Sequence, residues 1–453
     1  MKMTMKAAAA AVMAVCAASA AHAAGFMLTE QSAGALGRAY AGVGVDGTDL
    51  SGVYYNPATM TLHPGTQIQA GFVAVGLDLA FEGHDGTPEQ NPVSENGQYN
   101  TQAIPHGYIS HQLNDSMWIG LAMTVPFGMG TEYDDNWTWA NRGISAEVLT
   151  FDFNPNVAWK VSDKLSIGAG MSIQYAAADL KKRKDISGAS LGLPGMASVD
   201  GEIDADSWAW GFNVGLMWSP LENLRFGLSY RSKINHHADG DMDITNPKLN
   251  GESEISGFGS VSDILNNQFP GLLGSHSASA SLSTPAWVMA TAAWDVNSLL
   301  SLYATFRWTD WSSFKELTID AGSYGPLPLG DTIKNEWQDT YLVSVGADFR
   351  FTDWWTFRAG VGYETSPVDN PRYRTAIIPD ADRWWFAIGS SFQATDNMQI
   401  DVSAAMLHGV GEGSLYDGEG ADSQKIGRFE NLDAYLFGVQ QVYKFKSRLM
   451  LPF

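Results

Sequence analysis

The sequence predicts an all-β fold: a fourteen-stranded antiparallel transmembrane β-barrel with an N-terminal, partly helical hatch in its lumen. Three observations lead there. Apolar residues recur with period 2 from about residue 65 onward, the mark of strands with two unlike faces. Very short polar turns alternate with long links along the chain. No run of about 18 apolar residues follows the N-terminal segment, so no membrane-crossing helix is on offer.

Composition narrows the class. The 453 residues hold 49 acidic against 27 basic side chains, a net charge of −22, and such a surface repels a phosphate backbone and excludes a nucleic-acid partner. The single cysteine, Cys16, leaves neither a disulfide scaffold nor a thiolate metal cage.

Residues 1–23 start with Lys2 and Lys6, run apolar from Ala7 to Ala21 and end in Ala21-His22-Ala23, a small-x-small cleavage site. This is a secretory signal peptide. Its removal takes Cys16 and two lysines, leaving a mature chain of charge −24 with no cysteine.

Residues 24–64 do not alternate. Six glycines between Gly34 and Gly52 lie among Ala, Tyr and Asp, and Asn56-Pro57-Ala58 reads as a helix cap followed by a first-turn proline. Forty residues are long for a lead-in, so the segment is expected to fold back as a hatch, the alternative being a periplasmic tail.

Residues 65–445 are expected to form the barrel. In one run Leu165, Ile167, Ala169, Met171, Ile173 and Tyr175 alternate with serines, glycines and Gln174. In another, Leu300, Leu302, Ala304, Phe306 and Trp308 alternate with Ser301, Tyr303, Thr305, Arg307 and Thr309. A soluble sandwich alternates too, so the connections decide. Strands near 66–82, 103–112, 116–126, 147–160, 164–180, 203–218 and 222–240 come first, then 284–296, 299–319, 333–351, 353–366, 382–394, 397–412 and 429–445. Turns such as Asn114-Asp115 and Thr352-Asp353 join pairs of strands, while long links at 83–102, 127–146, 181–202, 241–283, 320–332, 367–381 and 413–428 join one pair to the next. Short periplasmic turns, long outer loops and an even strand count are the asymmetry of outer-membrane barrels, which must close because lipid offers no partner to a bare edge. Trp308 and Trp311, Trp354 and Trp355, and Trp384 and Trp385 suit interfacial girdles. Residues 446–453 extend past the Tyr443–Phe445 stretch of the last strand; assembly signals of this kind end in an aromatic, so either Phe453 serves or the final strand is longer.

The chain resembles the FadL family of outer-membrane channels for long-chain fatty acids and related hydrophobic molecules. The residues that carry the resemblance begin with Gly25-Phe26, Gly37-Arg38-Ala39-Tyr40, Asn56-Pro57-Ala58, Pro126-Phe127-Gly128 and Thr131-Glu132-Tyr133. Tyr230-Arg231-Ser232, Trp355-Thr356-Phe357-Arg358, Ser366-Pro367-Val368, the run Ile378–Arg383 and Leu436-Phe437-Gly438 follow in order. The resemblance implies capture of ligand by outer loops, transfer to a lumenal pocket and lateral exit at a kinked strand. By match, Phe26 belongs to the hatch end that touches the pocket, Asn56, Pro57 and Ala58 form the hatch corner, and Pro126, Phe127 and Gly128 lie at the kinked third strand. It also implies a monomer in the outer membrane of a Gram-negative bacterium, meeting outer-membrane lipid, lipopolysaccharide and the barrel assembly machinery, with no cofactor.

Two loop features bear on a ligand. In 241–283, Ile255, Phe258, Val261, Ile264, Leu265, Phe269, Leu272 and Leu273 cluster, those from 261 to 269 at helical spacing, and with Leu191, Leu193 and Met196 could form a greasy capture groove or simply pack the loops together. Lys181-Lys182-Arg183-Lys184 ends the fifth strand. A fatty acid carboxylate would pair with Lys182 or Arg183, and lipopolysaccharide phosphate would serve equally on charge. By match Lys182 falls near the family's head-group cation, whereas Thr318 stands where a second cation is expected, which keeps alkanes and monoaromatics open as ligands.

Catalytic and metal signals are poor. Asp239-Gly240-Asp241-Met242-Asp243 lacks the EF-hand glutamate, His236-His237 lacks a third ligand, and no Gly-x-Ser-x-Gly elbow occurs. No metal, cofactor or chemical step is expected; an outer-membrane lipase or an adhesin is the rival reading.

Overall fold

The computed structural model describes residues 25–96, 101–186, 197–249, 251–255, 259–411, 413–418 and 423–445. The signal segment, Leu191, Leu193, Met196, Phe258 and the 446–453 extension fall outside them.

Fourteen antiparallel strands form the wall: β1 Thr66–His84, β2 Gln102–Gln112, β3 Met117–Thr124 resumed at Gly128–Glu132, β4 Ser145–Ser162, β5 Leu165–Asp185, β6 Ala197–Leu221 and β7 Leu224–Arg231 resumed at Ile234–Leu249. The second half is β8 Gly274–Thr284 resumed at Trp287–Asp295, β9 Leu300–Thr309 resumed at Glu316–Asp320, β10 Asp331–Lys334 resumed at Thr340–Thr352, β11 Trp355–Glu364, β12 Asp382–Thr395, β13 Met398–Val410 and β14 Gln424–Lys444. Each strand pairs with the next, and β1 pairs with β14 from Gln67↔Lys444 to Gly83↔Gly427, which closes the sheet and leaves no edge.

The two faces are inverted relative to a soluble protein. Ile167 and Met171 on β5 and Leu302 and Phe306 on β9 are exposed, as are the alternate residues Trp208 to Trp218 on β6, with Trp210 73% exposed. Their neighbours Ser166, Ser172, Gln174, Ser301, Thr305 and Arg307 are buried. An apolar exterior around a polar interior is what a bilayer outside and a lumen inside impose on a strand of period 2.

Three expectations are corrected. First, β5 and β6 stay paired from Lys181↔Glu202 to Asp185↔Ser198, so much of the 181–202 link is sheet, and β7 and β8 likewise run to Leu249 and from Gly274. Beyond the bilayer neither face needs to be apolar, so the alternation that marks a strand fades there. Second, 299–319 is not one strand: β9 breaks at 310–315, and β10 breaks at 335–339. Third, the tryptophan pairs are not all girdle residues. Trp354 and Trp384 face outward, but Trp385 is buried inside, since successive strand residues point to opposite faces, and Trp311 is buried inside at the β9 break.

Residues 25–65 fill the lumen. Helix α1 (Ala33–Leu36) is capped by Ser32, whose side chain accepts from Ala35 N. Helix α2 (Gly52–Tyr55) leads through Asn56 into a 3-10 helix at Pro57–Leu62, where Asn56 Oδ1 accepts from Ala58 N at 3.2 Å, the capped corner read from sequence. Wall glycines let this segment lie close: a Cβ at Gly346 would sit 2.9 Å from Arg38 Cβ, and one at Gly438 would sit 2.8 Å from Ala33 Cβ.

Charge fastens it. Arg38 is fully buried, pairs with Asp46 of the hatch and with Asp348 of β10 at 2.9 Å, and lies over the Tyr303 ring at 4.1 Å. From the wall, Arg225 donates to Val45 O at 2.9 Å, Arg231 to Tyr54 O at 2.9 Å, Arg307 to Thr29 Oγ1 at 3.0 Å and Arg358 to Gly34 O at 3.1 Å. Gln440 of β14 accepts from Ala33 N at 2.8 Å and donates to Asp49 at 3.2 Å.

Candidate functional site

The site grows from the break in β3. Pro126 has no N–H for a ladder, and Val125–Phe127 leave the strand. The last β2–β3 pair is Gly107↔Met123; above it the hatch end takes the place of β2 on that edge. Leu28 N donates to Pro126 O at 2.8 Å, Gly128 N donates to Phe26 O at 2.9 Å, and Gln31 Nε2 donates to Val125 O at 2.6 Å. Gly128 to Thr131 are all buried, so neither face of this piece of β3 meets lipid. The kink residues named from sequence and the hatch residue Phe26 therefore meet at one seam.

Phe26 projects into a ring of aromatics drawn from three broken strands. Its ring centroid lies 5.9 Å from Phe127 at the β3 break, 4.8 Å from Trp311 and 5.6 Å from Phe314 at the β9 break, and 6.0 Å from Trp337 at the β10 break. A break in a strand resets the alternation and can turn consecutive bulky side chains to the same side. Edge-to-face packing of this kind adds about 0.5–1.5 kcal/mol per pair beyond burial.

Beside the ring lies a buried charged cluster. Gly25 N donates to Asp380 Oδ2 at 2.9 Å, Asp380 pairs with Arg383, and Arg307 pairs with Glu364 at 2.8 Å. Glu30 of the hatch is buried next to Glu364 with one carboxylate oxygen unpaired, and desolvation raises its pKa to about 7. Burial also pushes Asp380 up, against the pull of Arg383.

Above the ring, helix α3 (Val261–Gln268) confirms the helical spacing read in the outer loop. Val261, Leu265 and Leu272 are buried in the same apolar cluster as Phe26, Phe269 packs against it half-buried, and Ile264 is half-exposed. Ile255 lies in a two-residue strand just before this helix, and Phe258 is outside the described residues.

The tetrabasic run is fully engaged by protein. Lys181 pairs with Asp135 at 2.8 Å, Lys182 with Asp331 at 2.7 Å and Arg183 with Asp200 at 2.8 Å, while Lys184 donates to Gly330 O at 2.8 Å. Lys182 and Lys184 thus clamp β5 to the start of β10 and the residue before it. Thr318 is exposed on β9 and pairs with Ser281 and Thr332. His236 is buried between Ser207 and Gln174 whereas His237 faces outward to Ser281, so the two imidazoles cannot share a metal. Asp239, Asp241 and Asp243 are exposed on β7, not in a loop, and no cluster of metal-ligand type occurs among the described residues.

Trp311, Phe314, Trp337, Glu30 and the Arg38 pairs escaped the sequence reading. The three aromatics sit at the strand breaks 310–315 and 335–339, where the apolar alternation of the flanking strands gives way to polar residues, whereas no local pattern marks Glu30 or the Arg38 pairs.

A closed barrel with a lipid-type exterior, plugged by its own N-terminus, whose Phe26 packs into an aromatic cluster at a wall break, defines an outer-membrane transport channel. Residues 14–445 match the family described as outer membrane protein transport protein (OMPP1/FadL/TodX), and the chain belongs to that family. It is 29% identical over 442 residues to the long-chain fatty acid transport protein of Escherichia coli O6:H1, covering 93% of this chain and 94% of that one. The crystal structure of a Pseudomonas aeruginosa FadL homologue superposes with a TM-score of 0.80 at 26% identity, covering 93% of this chain and all of that one. The Pseudomonas putida toluene transporter TodX shares the fold at a TM-score of 0.69 and 15% identity, over 91% of this chain and 100% of that one. The chain is an outer-membrane protein of a Gram-negative bacterium.

Proposed function

We propose that this channel takes up long-chain fatty acids by diffusion, with no chemical step. The observation that carries the reading is the Phe26 ring at the β3 seam: an apolar aromatic cluster filled by the same hatch end that straps the break in the wall. The long-chain fatty acid transport proteins among its relatives support the substrate class.

In this reading Val261, Leu265, Phe269 and Leu272 of the outer loop, with Ile255, Phe258 and Ile264 beside them, take an acyl chain from the lipopolysaccharide layer. Lys182 and Arg183 draw its carboxylate toward the mouth, in competition with Asp331 and Asp200. The chain then displaces Phe26. Gly25–Leu28 are held to β3 chiefly by two backbone hydrogen bonds, each worth about 0.5–1.5 kcal/mol net, so a ligand that buries its own tail offsets their loss. Phe127 and Gly128 then border an opening between β2 and β3, and the ligand leaves sideways into the membrane. Asn56, Pro57 and Ala58 keep the rest of the hatch fixed against β6, where Asn56 Nδ2 donates to Leu216 O at 3.0 Å.

A second reading, uptake of neutral aromatics or alkanes, is favoured by the absence of a spare cation in the tetrabasic run. Uptake of radiolabelled oleate and toluene by a deletion strain carrying the wild-type gene or Phe26→Ala tests both. Oleate uptake restored by the wild type and reduced at least tenfold by Phe26→Ala is the expected result. Restoration of toluene uptake alone would select the second reading, and restoration of neither would refute transport.

A further inference from the structure

We infer that Asn335 and Trp311 form a polar subsite in the aromatic cluster that Phe26 fills, built for a head group that takes the place of Phe26 and both accepts and donates a hydrogen bond: a primary alcohol or an un-ionised carboxylic acid. The inference rests on the proposed uptake reading and goes beyond it by assigning where the polar end of the ligand sits.

The β10 break carries the argument. Ile333, Asn335 and Trp337 alternate with the exposed Lys334 and Glu336, so all three point inward. Ile333 and Trp337 belong to the apolar cluster around Phe26. Asn335 lies between them and is 2% exposed. Its backbone N–H is satisfied by Lys315 O at 2.8 Å, next to Phe314, but neither its Nδ2 nor its Oδ1 has a partner. Exchanging the two amide atoms would leave both orphaned still, so the result does not depend on the amide's orientation.

A second orphan lies on the same cluster, joined to it through Trp337. Trp311 is fully buried, its ring 4.9 Å from Trp337 and 4.8 Å from Phe26, and its indole N–H has no acceptor. Buried amides and indoles almost always find partners, because leaving them unmade forfeits their hydration without return. Two such groups on one apolar ring mark a place where a polar atom from outside belongs.

The donor set defines its chemistry. Nδ2 and the indole N–H can donate to a ligand oxygen, and Oδ1 can accept one hydrogen. An alcohol or un-ionised acid matches both. A carboxylate would use the donors but set its charge against Oδ1 among uncharged rings, where desolvation favours the protonated form. The charged run Lys181–Lys184 is committed to Asp135, Asp331, Asp200 and backbone carbonyls, so the pocket's polarity is distinct from that of the mouth.

Intrinsic tryptophan fluorescence of the purified full-length protein, titrated with hexadecan-1-ol, 1-methoxyhexadecane and hexadecane, tests this. Wild type should bind the alcohol at least tenfold more tightly than hexadecane, with the methyl ether, which accepts but cannot donate, between them. Asn335→Leu and Trp311→Phe, each checked for intact heat-modifiable mobility on gels, should lose that preference while keeping their affinity for hexadecane. Equal weakening for all three probes would mark both residues as structural, and an unchanged preference would mean that the orphans hold only buried water; either result overturns the subsite. Binding of hexadecane without preference by wild type sinks the subsite alone, whereas binding of no probe sinks the uptake reading with it.

Discussion

Replacing Arg38 with methionine isolates the charge that fastens the hatch to the wall, because methionine keeps a long unbranched stem and removes only the guanidinium. Two carboxylates are affected unequally. Asp348 keeps Arg358 at 3.5 Å and the Tyr303 hydroxyl at 3.3 Å, whereas Asp46 is left with Thr48 at 3.0 Å. Breaking a buried pair costs about 3–5 kcal/mol, and the lost contact with the Tyr303 ring adds about 0.5–2 kcal/mol. Asp46 can take up a proton, since burial already pushes its pKa up, so the lower end applies: about 3 kcal/mol, or about a hundredfold in the ratio of seated to released hatch. Single-channel recording in planar bilayers reads that ratio as open time, and protease accessibility of the segment gives a second measure. Arg38→Met should turn a nearly silent channel into one with frequent openings, and adding Asp46→Asn should recover part of the loss. Wild-type silence and protease resistance in Arg38→Met, with the barrel intact, would refute the assignment of Arg38 as a fastening.

Removal of residues 24–64 behind an intact signal should leave a barrel that assembles and shows large, steady conductance; a silent variant would deny the segment a gating role. Lys182→Gln with Arg183→Gln should weaken fatty acid binding by about tenfold and spare hydrocarbons, the modest size following from the competition of Asp331 and Asp200. Calorimetric titration that finds equal losses for both ligand classes would place these residues in structure instead. Glu30, with its pKa raised by burial from 4.5 to about 7, favours the seated hatch fully below about 4.5 and loses that contribution, roughly 3 kcal/mol, as pH rises to about 7. The difference in hatch release between wild type and Glu30→Gln, measured by conductance, should therefore grow from about pH 4.5 to about pH 7. His63, held down to about 4 by burial, works in the opposite sense below about 6.5, so the difference between the two proteins is the quantity to compare.

Much of the wall was legible because a bilayer imposes one rule on every strand. Leu165–Tyr175 and 300–309 alternate as read, with the outward and lumenal sets found where the period places them. The capped Asn56-Pro57 corner and the helix at Val261–Gln268 were legible for a similar reason, since local hydrogen bonding and helical spacing act within a few residues. The pocket was not. Trp311 reads as a girdle residue beside Trp308, yet it sits inside at the 310–315 break, against Phe26, which lies 285 positions away along the chain. The pairs Arg38–Asp348 and Lys182–Asp331 likewise depend on which strands face each other across the lumen or the mouth, a property of closure that no local pattern encodes.

Gln440 bears on how such a barrel finishes folding. Its amide oxygen lies within hydrogen-bond distance of Ala33 N, Gln69 Nε2 and His106 Nε2, and its nitrogen donates to Asp49 and to Asp401 at 2.8 Å. One side chain on the last strand therefore touches the hatch, the first two strands and the penultimate one. A slip of β14 by one residue would turn this amide to the lipid, and a slip by two would bring Gly438 or Val442 to its place, neither of which can make these bonds. The backbone ladder at the β1–β14 seam is nearly indifferent to a two-residue slip, whereas this junction is not. The strands can close without the hatch, but in the intact chain hatch docking favours the one closure register in which Gln440 makes these bonds over its neighbours.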